Sequence, residues 1–388
     1  MKYKLGISVY PDIKPIEEIK EYIKLASKYG FTKIFSSMFS VPGTNEEVLG
    51  YFRELIEFAH QYDMEVDLDV SPELFDRLGA TSSDLSIFKS IDVDIIRMDL
   101  SYGKEKDREL VENDLGIKIE FNSEPHIVKG LVEAGAKAED ILVCYNFYPQ
   151  KYTGFGWDEF RRNAGEIKSY GDVTIGAFVS SNNTETHGVW DSKDGLPTIE
   201  RLRGLPIDLQ ARILIASGLV NEIIIGNAFA TEEEMKSLKE VLDNAGVNKD
   251  LPIIKLLIEN GIYDEKSMRS IIFKPEISPY ASESEKEILF NFETHMSSEA
   301  NNEFIWRSRI SRSRKDFEYK PRSCEKEFFQ RGDILIVNDN YRYYAGEVQI
   351  VLGQVENDGQ RNYVGRVTED EMMLVDLLDR GLSIKFLK

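Results

Sequence analysis

The stretch "IKIEFNSEP", residues 117–125, alternates as a β-strand does: Ile117, Ile119 and Phe121 share one face, and Lys118, Glu120 and Asn122 share the other. The side of a sheet that receives this second, polar face decides the architecture. Seven further runs of the same kind surround it: "YKLGISVY" (3–10), "KIFSSM" (33–38), "MEVDLDV" (64–70), "VDIIRMDL" (93–100), "ILVCYNF" (141–147), "VTIGAFV" (173–179) and "EIIIGNA" (222–228). Helical stretches separate them, as in "PIEEIKEYIKLASKYG", where Ile16, Ile19, Ile23 and Ala26 recur at helical spacing and Gly30 supplies the stop. Eight strands alternating with helices predict an α/β fold, a closed (β/α)8 TIM barrel of about 250 residues. An open doubly wound sheet would usually bring a glycine-rich phosphate loop after the first strand, where this chain has "SVYPDIKP".

The eighth unit ends in a helix opened by a capping box, Thr231 with Glu234, and the period then changes. Short alternating runs follow a connecting stretch, among them "SIIFKPEIS", "ILFNFETHM", "NEFIWRSRI" and "EVQIVLGQV". They predict a small, mostly β domain, itself a barrel, so the expected division is 1–246 and 247–388.

A net charge of −20 disfavours nucleic acid as a partner, because phosphate would meet a repulsive field. No apolar run approaches the roughly 20 residues that cross a bilayer, and the start "MKYKLGISVYP" lacks a signal peptide's apolar core, so a cytoplasmic protein is expected. The two cysteines, Cys144 and Cys324, suit buried thiols in a reducing compartment. The sequence leaves the oligomeric state open.

In a (β/α)8 barrel the apolar strand face meets the helices and the other points into the barrel, whose C-terminal mouth carries the chemistry. Parity then sends Glu120 and Asn122 inward, with Glu124 just beyond the strand. The same rule turns Asp67 and Asp69 inward with Val66, Leu68 and Val70 outside, and Arg97 and Asp99 inward with Ile96, Met98 and Leu100 outside. Cys144, Asn146 and Tyr148 turn inward with Val143, Tyr145 and Phe147 outside, and the first strand adds Ser8 and Tyr10. Lys118 points inward but deep. Asp67, Arg97 and Glu120 are expected as a mutually satisfied supporting layer, since an unpaired buried ion costs several kcal/mol. Asp69, Asp99, Asn122, Asn146 and Tyr148 fall later in their strands, within reach of a ligand.

Of the four histidines, His60 and His126 lie on predicted helices, His187 in the seventh loop and His295 in the second domain, so no metal centre is expected, and no cofactor. No strand end offers a Schiff-base lysine and no serine has a matching His and Asp. Paired carboxylates with amides remain, the parts that glycoside hydrolysis needs. Trp190, in the long seventh loop, either stacks on a sugar or pins the loop, and Pro197 and Thr198 mark a helix start whose free N–H groups could meet an anion.

The second domain carries "WRSRISRSRK" at 306–315. Read as a strand, it places Arg307 and Arg309 on one face, suited either to a substrate phosphate or carboxylate or to the protein's own acids.

"GISVYP", "IEFNSE", "DGLPTIERLR" and "YRYYAGEVQIVLGQV" together resemble the bacterial 6-phospho-N-acetylmuramidase family, formerly described as outer surface proteins, over essentially the whole chain. The resemblance implies a TIM barrel with a C-terminal cyclophilin-like β domain. It implies cytoplasmic hydrolysis of N-acetylmuramic acid 6-phosphate linked to N-acetylglucosamine, a phosphorylated amino-sugar disaccharide, in cell-wall sugar recycling. Two departures stand out: Leu202 precedes Arg203 where the family often has His, and Asn227 stands where it often has Asp. They leave open another phosphorylated or acidic disaccharide. One of Asp69, Asp99 and Glu124 is expected to protonate the glycosidic oxygen, with another as nucleophile, base or orienter of the substrate's acetamido group. The binding set is Ser8, Tyr10, Arg97, Glu120, Asn122, Asn146, Tyr148, Arg307 and Arg309. A non-catalytic phosphosugar sensor and a sugar-phosphate lyase or isomerase are the alternatives.

Overall fold

A computed structural model describes residues 3–38, 43–189, 192–262, 265, 268–297, 302–314, 316–378 and 383–388. Trp190 and Lys315 lie outside the described residues. The chain divides into two compact units, one of Lys2–Leu214 with Leu219–Glu240, the other including Ile215–Gly218 and Val241–Lys388.

In the first unit, eight strands form a closed barrel in sequence order. They are β1 (Lys4–Val9), β2 (Lys33–Ser37), β3 (Glu65–Val70), β4 (Ile95–Met98), β5 (Lys118–Asn122), β6 (Leu142–Cys144), β7 (Thr174–Val179) and β8 (Glu222–Ile225). All pairs are parallel, and β8 closes on β1 with Lys4 opposite Glu222. Ile7, Ile34, Val66, Leu68, Ile96 and Ile119 are fully enclosed on the helix-facing side. The helix Ile16–Lys28 buries Ile19, Tyr22, Ile23 and Ala26 and stops where Gly30 takes φ +78°, a conformation that a Cβ would strain. The predicted capping box is present: Thr231 N–H donates to Glu234 Oε2 at 2.9 Å and Glu234 N–H to Thr231 Oγ1 at 3.2 Å.

Alternation ends where the ladder ends, and this corrects two assignments. Leu100 lies beyond the last residue of β4 and is 61% exposed, so it does not face the helices. Phe147 lies beyond β6 and packs inward, against Phe35 and Phe178. Lys118 is also corrected: it opens β5 at the rim, half exposed, and pairs with Glu65.

The second unit is mostly β. Its largest sheet has the strand order Glu276–Ile277, Arg361–Arg366, Asp333–Val337, Val348–Val351, Ile305–Ser308, and a three-stranded and a two-stranded sheet accompany it. The run "ILF" (288–290) is helical, not extended, and ends the helix Glu283–Phe290. The capping box of Ser282 and Glu285 fixes the start of that helix and buries Ile288 and Leu289, a local signal that overrides the alternation. No described helix is long and apolar enough to cross a membrane.

Candidate active site

The barrel interior has an apolar part and a charged part. Phe35, Cys144, Phe178 and Ile224 form the apolar cluster, with Phe147 against it. The charged part centres on Lys33, whose Nζ lies 2.8 Å from Asp67 Oδ2, 2.8 Å from Glu120 Oε2 and 2.9 Å from Glu222 Oε2. All four side chains are buried. The supporting layer expected of Asp67, Arg97 and Glu120 therefore has a lysine at its centre. Parity applied to "KIFSS" and "EIII" finds both missing members, because Lys33 and Glu222 share their strands' inner face with Phe35 and Ile224.

Burial opposes the charge on Lys33, but the three surrounding carboxylates outweigh it and hold the amine well above its usual range. Arg97 with Asp69 extends the network toward the mouth, and Lys4 reaches Glu222 from the other end at 3.8 Å. Burial pushes Glu120 up to about 7, with Asp67 adding to the rise and Lys33 opposing it. Burial also raises Asp67.

One layer nearer the mouth, Arg97 forks between strands. Its Nη1 donates to Asp69 Oδ1 at 2.8 Å, and its Nη2 to Asn122 Oδ1 at 2.6 Å and to Asn146 Oδ1. Arg97 Nε is 3.8 Å from Glu120 Oε1, which links the two layers. Asn122 Nδ2 donates to the carbonyl of Asp99 at 2.7 Å, fixing the turn after β4. Burial raises the pKa of Asp69 against the pull of Arg97, and the Asp99 charge adds to the rise. The arrangement brings two carboxyl groups and two oriented amides to one end of the barrel, parts suited to general acid catalysis.

Glu124 follows Asn122 by two residues, with its N–H on the Asn122 carbonyl at 2.7 Å. It is exposed just before the helix Pro125–Glu133, and its carboxylate lies 3.3 Å from His126 Nδ1. Ser8 is fully buried. Tyr10 turns inward, but its hydroxyl is engaged by the carbonyl of Gly226 at 2.5 Å and its ring packs with Leu196 and Ala228. Tyr148 is half-buried against Phe155, with its N–H on the carbonyl of Pro197. Among the described residues no group of three or more His, Cys, Asp or Glu could hold a metal ion.

Residues 5–240 match the family model for the N-terminal part of 6-phospho-N-acetylmuramidase, and residues 271–387 match that for its C-terminal part. The chain belongs to the 6-phospho-N-acetylmuramidase family. Over the full length of both chains it is 32% identical to an uncharacterized B. cereus protein of known crystal structure, with a TM-score of 0.82. A conserved Enterococcus faecalis protein of unknown function has the same fold at 22% identity and a TM-score of 0.65, with 99% of this chain and 96% of that one covered. No curated protein matches the chain.

The motif "LPTIERLR" of this 6-phospho-N-acetylmuramidase family member knots the sixth and seventh loops together. Thr198 Oγ1 donates to the carbonyl of Asn146 at 3.0 Å and accepts from Phe178 N–H at 2.9 Å. Arg203 donates to the carbonyls of Tyr148 and Asp194 and pairs with Glu200 at 2.7 Å. That guanidinium, first among several donors, holds Glu200 down at about 2. The expected anion site at Pro197 and Thr198 is corrected: Thr198 is buried and its N–H donates to Phe178 O at 3.0 Å. Leu202 is fully buried, which accounts for an apolar residue there. Asn227 uses both ends of its amide, accepting from Ser181 N–H at 2.8 Å and donating to Ser181 O and Thr186 Oγ1.

The paired face expected of Arg307 and Arg309 is also corrected. The strand ends at Ser308, and Arg309 begins a 3-10 turn with its side chain exposed. Arg307 instead joins Arg312 on one buried acid: Arg307 Nε donates to Glu347 Oε1 at 2.6 Å and Arg312 Nε to Glu347 Oε2 at 2.5 Å. The Arg312 guanidinium lies 3.9 Å from the ring centre of Tyr344.

Proposed function

We propose that this family member is a glycosidase that cleaves N-acetylmuramic acid 6-phosphate from N-acetylglucosamine in the cytoplasm, during the recycling of cell-wall sugars. The observation that carries the reading is the Arg97 fork, which holds Asp69 by one carboxyl oxygen and orients Asn122 and Asn146 beside it.

In this reading Asp69 is the general acid. Burial raises its pKa, and Arg97 occupies only Oδ1, leaving the other oxygen for the glycosidic bond. As the bond between the anomeric carbon and the bridging oxygen breaks, the proton of Asp69 passes to the departing sugar. Water then bonds to the anomeric carbon and gives its proton to Asp99, either at once or after the substrate's acetamido oxygen, oriented by Asp99, has first held that carbon. Asn122 and Asn146 hold ring hydroxyls or the N-acetyl group, and the Lys33 layer beneath fixes Arg97.

The test is incubation of purified protein with the phosphorylated disaccharide, with both released sugars measured. Stoichiometric release of two sugars by the native chain and its loss in Asp69→Asn support hydrolysis. Binding without release would make the protein a sensor, and a single rearranged product would make it a lyase or isomerase.

A further inference from the structure

A cavity of about 920 Å³ opens between the loops that follow β6, β7 and β8. Its lining is unlike the rest of this acidic chain. Among the described lining residues Lys151, Lys193, Arg201 and Arg203 outnumber Asp194 and Glu200, in a protein of net charge −20. Arg203 is committed to Glu200 and to backbone carbonyls, and Lys151 lies 3.4 Å from Asp194. Arg201 is exposed and, among the described residues, makes no ion pair or hydrogen bond.

A second feature of the same cavity is independent of charge. Tyr152 adopts φ +69°, a left-handed conformation that costs a bulky residue on the order of 1 kcal/mol or more, with its side chain 90% exposed. The backbone is held there by Glu200, which accepts from the N–H groups of Tyr152 at 2.7 Å and Gly154 at 2.9 Å. Those two hydrogen bonds account for the backbone, and they leave the ring in solvent at the cavity wall, with a face open to stacking.

We propose that this cavity binds the phosphorylated end of the amino sugar, with Arg201 on the phosphate and the Tyr152 ring against a sugar face. The proposal rests on the glycosidase reading for its ligand, and the loop connects the two sites. The segment lining the cavity at Ser192–Gly195 runs on to Thr198, which fixes Asn146, and Arg203 ties the cavity wall to the carbonyl of Tyr148. Barrels of this architecture frequently place phosphate at the loops after their seventh and eighth strands.

The experiment measures binding of N-acetylmuramic acid 6-phosphate and of N-acetylmuramic acid to the full chain by calorimetry, with no turnover required. A charge-assisted contact is worth roughly tenfold or more in affinity. The native protein should prefer the phosphorylated sugar by at least about that factor, and Arg201→Ala should bring the two affinities within about threefold. Tyr152→Ala should weaken both sugars alike. Unchanged preference in Arg201→Ala overturns the proposal, as does a native protein that does not distinguish the two sugars. Loss of the preference in Arg309→Ala instead moves the phosphate to the second unit and also overturns it. A chain that binds as expected but hydrolyses no disaccharide refutes the glycosidase and leaves the cavity standing.

Discussion

Lys33 Nζ lies 2.8 Å from Glu120 Oε2 across the barrel interior, and neither side chain reaches solvent. The same ammonium is the counter-charge for Asp67 and Glu222, so one residue balances carboxylates from three strands. Removing one partner of a buried ion pair typically costs about 3–5 kcal/mol, because the remaining charge is stranded. Lys33→Met should therefore lower stability by at least about that amount, read from urea unfolding midpoints. Adding Glu120→Gln should recover part of the loss. Strict additivity of the two changes would argue against the cage.

Glu120 also sets a pH dependence. Its folded pKa, about 7, lies above the ordinary carboxylate value of about 4.3, so between these limits the folded state holds a proton that the unfolded state has released. The contribution of this group is complete at the acid end of that window and is lost as pH rises through 7. Thermal midpoints at pH 5 and pH 8 should show a larger fall for the native chain than for Glu120→Gln. Equal falls would contradict the assignment.

Asp69→Asn should reduce kcat by about two to four orders of magnitude, the usual weight of a positioned acid. A substrate whose leaving group needs no proton, such as a nitrophenyl glycoside, should lose far less. A similar loss on both substrates would remove Asp69 as the acid.

Arg97→Lys preserves the charge but not the fork, since an ammonium cannot span Asp69, Asn122 and Asn146 in one plane. The expected result is a folded protein, by circular dichroism, with kcat down by at least about tenfold. Full activity would show that the amides are positioned without Arg97.

Arg307→Ala should act on stability rather than on substrate affinity. It leaves Glu347 buried with Arg312 still attached, so the loss should be nearer 2 kcal/mol than the roughly 3–5 kcal/mol of a fully stranded ion. Unchanged unfolding with a raised KM would restore Arg307 to the substrate.

Much of the architecture was legible because strand parity is a local rule with a global consequence. Ile117, Ile119 and Phe121 identify the outer face of β5, and the same test on β3 and β4 brings Asp69, Arg97 and Asn122 to adjacent positions. The rule fails where the ladder stops, as at Leu100, Phe147 and Arg309, since nothing in a short window says where extension ends. Lys33 was readable by the same test, but a lysine opening a strand resembles a rim residue until its three acids converge on it. The roles of Glu200 and Arg203 depend on contacts between separate loops. Alternation and charge counts do not report those.

The Lys33 cage has a bearing on how the chain reaches this fold. Its lysine arrives with the second strand and one of its acids, 189 residues later, with the eighth. Contacts of such separation close late and slow the search. A nascent chain that has emerged only as far as the seventh strand holds Lys33 without Glu222, beside the seam that β8 will fill between β7 and β1. Exit of Glu222 from the ribosome is thus the point at which the barrel gains its last internal counter-charge.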